Sequence, residues 1–271
     1  MSTIVIEGFL ATSDPLKAYG GVAIAPKAIY NIAQSIRDGK MPLRAHHNES
    51  YLFNHRIIDV EVRETKKGSL GVWAQFEIDE QEWEELKDLK GFSIAVVSDF
   101  FEPDPTDNKP AIKIYTDAGH YSEEDFGAAI EELEKHFAVG GGRLYQFNIL
   151  PPAKIVIDFA QNILQAITPN LISSWLYDAL KPLLLHLKLS KLKSQTVEQK
   201  PTAVTVLRMT SEDQQVDLFQ IQTDDLAVLQ SALDTFYSNL SSKSQENGSS
   251  PKPRECFHEF DNNSKKWKKL R

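Results

Sequence analysis

The chain has 271 residues, 41% of them hydrophobic and 25% charged, which is the composition of a globular protein and excludes a fibrous or wholly disordered one. Its formal net charge of -8 argues against nucleic acid as a partner, because phosphate binding calls for a basic surplus. The single cysteine, Cys256, excludes an intramolecular disulfide framework and a thiolate zinc cluster, and a reducing, cytoplasmic location is the expectation.

In chain order, residues 3–10 alternate as a strand does and lack the basic start and apolar core of a secretory signal. Residues 26–38 place Ile29, Ile32, Ala33 and Ile36 on one helical face, with Pro26 in the first turn and Gly39 past the end. Residues 57–64 and 70–78 alternate on either side of the turn Lys66-Lys67-Gly68-Ser69, which predicts a β-hairpin. An acidic helix follows over 79–89 with Asp79 as its N-cap, then Gly91 and an apolar strand over 92–97.

Residues 102–110 hold three prolines and read as an exposed loop, followed by a strand over 111–116. The box Ser122-Glu123-Glu124-Asp125 opens an amphipathic helix over 122–137, and Gly140-Gly141-Gly142 reads as its stop and turn. Residues 143–150 alternate as a strand closed by Pro151-Pro152. Residues 154–189 read as leucine-rich helix, interrupted by Asp158, Pro169, Asp178 and Pro182, so no stretch approaches the roughly 18 to 20 apolar residues of a membrane span. A strand pair over 202–209 and 215–222 and a helix over 224–240, capped by Thr223, complete a helix, strand, strand, helix unit. Residues 241–271 open with Ser, Gly and Pro and end in KKWKKLR, which reads as a flexible basic tail that could touch an acidic surface.

Hydrolysis by serine needs a held hydroxyl, an imidazole within hydrogen-bond reach and backbone donors for the oxyanion. His47 ends an extended apolar stretch (MPLRAHHN), and Ser93 sits in a glycine-led strand (KGFSIAV). His46, His47 and His55 have no helical i, i+4 ligand spacing, so no metal is expected, and no cofactor motif stands out.

The order IEGF, PKAI, the histidine after an apolar extended stretch, a hairpin ending in GVW, a short helix and KGFSIAVV resembles the prohead serine proteases of tailed phages, which share a fold with herpesvirus assemblins. Leu144-Tyr145-Gln146-Phe147-Asn148-Ile149-Leu150-Pro151-Pro152-Ala153 matches the shape of that family's closing strand, so the resemblance spans about residues 3–155. It implies His47, followed by Asn48, as general base and Ser93 as nucleophile. Gln146 stands where the family carries its acidic third member, and its amide can orient an imidazole without adding charge. Assemblins use a second histidine, which makes His120, with Asp117 and Asp99 behind it, the alternative.

The resemblance therefore implies an α+β chain. A mostly antiparallel, barrel-like peptidase domain spans residues 1–155, an α+β accessory module spans 156–240, and a tail spans 241–271. The expected function is a serine endopeptidase acting on protein substrates, with homodimerisation implied by the assemblin likeness. The accessory module weakly resembles small components attached to effector domains in bacterial conflict systems; its leucine-rich helix either covers the module's own two-stranded sheet or offers residues 156–240 to a partner protein, in a host or prophage setting. The alternative is a protease-fold module that binds extended segments without cutting them.

Overall fold

A computed structural model of the chain describes residues 2–16, 19, 21–38, 44–45, 55–88, 92–93, 95–146, 152–159, 163, 169–193, 203–210, 216–241 and 255–270. Among these, the side chains of 44–45, 85–88, 92–93, 98, 169–170, 190–193, 237–241 and 255 are not described. The chain divides into two units, Met1–Val96 with Tyr145–Pro151, and Val97–Leu144 with Pro152–Arg271.

The first unit grows from strict alternation. Strands β1 (Thr3–Thr12), β3 (His55–Glu64) and β4 (Leu70–Asp79) form an antiparallel sheet in the order β1-β4-β3, with the 3–4 hairpin where the sequence expects it. Helix α1 (Pro26–Arg37) lays Ile29, Ile32, Ala33 and Ile36 on Val60, Val72, Ala74, Phe76 and Ile78. Each fully buried isoleucine there contributes roughly 1.5–3 kcal/mol. Pro26 occupies the first turn of α1, where a missing N–H is harmless. On the opposite face of the sheet the Arg63 guanidinium lies 3.3 Å from the Trp73 ring centroid, and Phe9 lies over Gly71, where a Cβ would come 2.6 Å from its ring. Helix α2 (Glu80–Asp88) is capped as expected by Asp79, whose Oδ1 accepts from the N–H groups of Gln81 and Glu82. The apolar strand expected over 92–97 is two strands, β5 (Phe92–Ser93) and β6 (Ala95–Phe101), and β5 pairs with β2 (Arg44–Ala45).

The second unit is an eight-stranded mixed sheet built from three crossovers. Strands β7 (Ala111–Asp117) and β8 (Ala138–Gln146) run parallel and are joined through α3 (Glu123–Glu134). Strands β9 (Ala153–Phe159) and β10 (Ala203–Thr210) are likewise parallel and joined through α4 (Pro169–Lys193). Strands β11 (Val216–Gln222) and β12 (Glu255–Asp261) repeat the pattern through α5 (Leu226–Ser241). With β13 (Lys266–Lys269), the order is β13-β12-β11-β10-β9-β7-β8-β6, and antiparallel contacts join one crossover to the next. Phe126 and Leu133 of α3, Leu176 and Leu183 of α4, and Leu233 and Phe236 of α5 share one core with every second residue of the strands.

The α+β class holds, but the described strands form two larger open sheets and the two-stranded β2–β5 ladder, not a barrel. Four expectations need correction. Gly140, Gly141 and Gly142 lie inside β8 and do not turn the chain: a Cβ on Gly141, whose φ is 152°, would fall 1.9 Å from the Ile114 carbonyl oxygen. Residues 153–159 are strand and not helix, because an Ile-Val-Ile run satisfies a two-sided buried strand as well as a helix. Residues 255–269 are not a loose tail: β12 and β13 form a hairpin whose Trp267 packs edge-on against Phe219 and Phe260. The expected boundary after residue 155 cuts through β9, which is bonded to both β7 and β10. The cap of α5 is Asp225, whose Oδ1 accepts from Ala227 and Val228, with Thr223 bonding the Asp225 N–H in turn. No described helix is long and apolar enough to cross a membrane.

Gly141→Ala is expected to destabilise the protein by roughly 2–4 kcal/mol, through steric overlap and backbone strain. Gly127→Ala, in α3 with open space around the new methyl group, is expected to stabilise by about 0.5–1 kcal/mol. Urea unfolding of both variants measures the contrast. Trp267→Ala is expected to cost about 3 kcal/mol in the same assay; a loss near zero would mean that the hairpin contributes nothing to the sheet.

Candidate functional site

Ser93 and the histidine segment approach each other through backbone pairing. Arg44 is the antiparallel partner of Ser93, and Ala45 that of Phe92. His47 follows Ala45 by two residues and lies outside the described residues, as does the side chain of Ser93. An antiparallel pair places partner Cα atoms about 4.5–5.5 Å apart, so two segments distant in sequence meet within one unit.

Gln146 belongs to that same unit, at the end of β8. It is fully buried, and its backbone N–H donates to the Tyr19 hydroxyl at 2.8 Å. Tyr19 also packs on the neighbouring Tyr145, with ring centroids 5.1 Å apart. The position is therefore fixed from two sides.

His120 belongs to the other unit, on the turn between β7 and α3. Its Nδ1 lies 2.6 Å from Oδ1 of Asp117, a carboxylate with no exposed surface that also accepts the Gly119 N–H at 3.1 Å. A carboxylate only accepts, so Nδ1–H of His120 is the donor. The His120 side chain keeps 20% of its surface exposed. This is the geometry of an oriented base. Asp99, the other acidic residue named with it, lies in β6 at φ 51°, in the left-handed region that few non-glycine residues adopt.

A second histidine–carboxylate pair stands one turn along. Asp125 completes the capping box with Ser122, and its Oδ1 lies 3.0 Å from Nδ1 of His186 on α4. Tyr121 is buried between these groups and donates to the Ala153 carbonyl at 3.4 Å. Burial, with the charges of Asp117 and Asp125, pushes its phenol well above the usual tyrosine range. Tyr115 on β7 is pushed up to about 12 by burial and by the Asp158 carboxylate. Asp158 itself forms a bidentate pair with Arg208 of β10. Arg143, on β8, donates through Nη2 to the carbonyls of Tyr121 and Ala118 and so holds the turn that carries His120. Sequence reasoning missed Arg143, His186 and Tyr121; only the capping box at 122–125 hinted that this turn is fixed.

Comparison of the chain with protein-family models, curated proteins and solved structures gives no match. The assignment of the site therefore rests on its residues.

A raised tyrosine pKa means that the folded state holds its proton more tightly than the unfolded chain does. That contribution is complete below the unfolded value near 10 and is lost as pH rises through the folded value near 12. Ultraviolet titration is expected to show Tyr115 and Tyr121 ionising after the exposed tyrosines, with the protein losing stability above about pH 10.

Proposed function

We propose that the first unit is a serine endopeptidase in which Ser93 is the nucleophile and His47 the general base. The observation that carries this reading is the pairing of β2 with β5, which brings the strand of Ser93 alongside the segment leading into His47. The Ser93 hydroxyl oxygen attacks the carbonyl carbon of a peptide bond while His47 takes its proton. Collapse of the tetrahedral adduct breaks the C–N bond, and the protonated His47 gives its proton to the leaving amine. Water, deprotonated by His47, then hydrolyses the acyl-enzyme and restores the serine.

Gln146 is the third member in this reading. It shares the unit of Ser93 and is buried and fixed by Tyr19, whereas His120 is engaged with Asp117 in the other unit. An amide orients the imidazole through its oxygen but leaves the imidazolium uncompensated, so turnover is expected to be slower than with a carboxylate. The second unit supplies recruitment: it is the part that binds a partner protein. The uncharged Gln146 also favours a second reading, in which the first unit holds an extended segment without cutting it.

A fluorophosphonate probe reacts with activated serines. Wild type is expected to label, with Ser93→Ala and His47→Ala abolishing the signal and Gln146→Glu raising its rate about tenfold or more. If wild type stays unlabelled and the variants match it, catalysis is excluded and the binding reading stands.

A further inference from the structure

Burying an arginine is costly unless its charge and its five N–H donors find partners. Arg143 is only 7% exposed, and among the described residues no carboxylate lies within ion-pair distance of it. Nη2 is used by the carbonyls of Ala118 and Tyr121, and the ring of Phe126 faces the guanidinium with 5.5 Å between the carbon and the centroid. Nε and Nη1 have no hydrogen-bond partner. The hydroxyl of Thr116, a residue with no exposed surface, has none either.

These orphaned groups are neighbours by register. Thr116 and Arg143 are paired across the parallel β7–β8 ladder, so their side chains rise from the same face of the sheet on strands about 4.8 Å apart. Three buried polar atoms lacking partners at one register position, two of them on a cation, describe an incomplete site. Arg143 already has carbonyl oxygens on one side; what is missing is negative charge.

We propose that Arg143 and Thr116 bind one small monovalent anion, a halide or a carboxylate of the size of formate, beneath the turn that joins β7 to α3. The anion accepts from Nη1 of Arg143 and from the Thr116 hydroxyl, and it compensates the buried charge. Because Arg143 also holds the carbonyls of Ala118 and Tyr121, occupancy steadies the turn on which His120 is paired with Asp117. The anion is thus a structural ligand of the His120 dyad, independent of the Ser93 chemistry.

The test uses the full chain at fixed ionic strength, replacing sodium gluconate stepwise by sodium chloride or sodium formate and following thermal unfolding. Wild type is expected to gain several degrees in Tm as the small anion rises, since a ligand of the folded state alone stabilises it by mass action. A shift with chloride alone assigns a halide site, and a larger shift with formate assigns a carboxylate site. Arg143→Met should melt at the same temperature in all three salts, and the isosteric Thr116→Val should weaken the apparent affinity about fivefold. Should Arg143→Met fail to fold, chloride-35 line broadening by wild type, relieved by formate and reduced in Thr116→Val, carries the same decision. Equal melting of wild type in the three salts, or an undiminished shift in Arg143→Met, overturns the proposal and leaves water as the partner of those donors.

Discussion

Much of the second unit depends on how closely β8 lies against β7. Glycine at 141 lets the Ile114 carbonyl approach to a distance that no side chain would permit, and glycine at 140 does the same for Pro103 and Phe101. That approach sets the register in which Thr116 meets Arg143 and Asp117 meets Leu144. The buried guanidinium, the turn it holds and the His120–Asp117 pair all follow from this register. The proposed anion site lies where parallel strands generally gather loops and helix starts, at their carboxyl ends.

The two units carry different chemistry. The first is a three-stranded sheet and one covering helix, an economical frame that holds a short two-residue ladder near the candidate nucleophile. The second places three crossover helices on one core and concentrates its titratable groups around Tyr121. The proposed peptidase with a separate recruiting part would divide its labour along the same line.

Local rules made much of this legible. The faces of α1, the hairpin of β3 and β4, the pairing of β10 with β11 and the capping box of α3 all follow from periodicity and turn chemistry within a short window. What escaped was non-local. Glycine reads as punctuation in sequence, and only the neighbouring strand shows that Gly141 answers a close contact. The lysines of β13 suggested solvation, yet charged residues are what an exposed sheet edge carries, and the apolar face of that strand is a single Trp267. His47 and Ser93 were named by resemblance and not by spacing, and the pairing of their segments is a tertiary fact. Arg143 was invisible because its importance lies in a register partner on another strand.

The bonding of β9 to both β7 and β10 bears on how the protein can be divided. A fragment ending at residue 155 would keep β7 and β8 but lose most of the strand that closes the β7 edge, and the remainder would begin with the rest of β9, paired with β10 but open along its β7 edge. Both halves would display open backbone donors and acceptors beside isoleucine side chains, which is the surface that seeds strand addition between molecules. Insoluble halves would report a severed sheet, and the loss of activity in them would carry no information about catalysis.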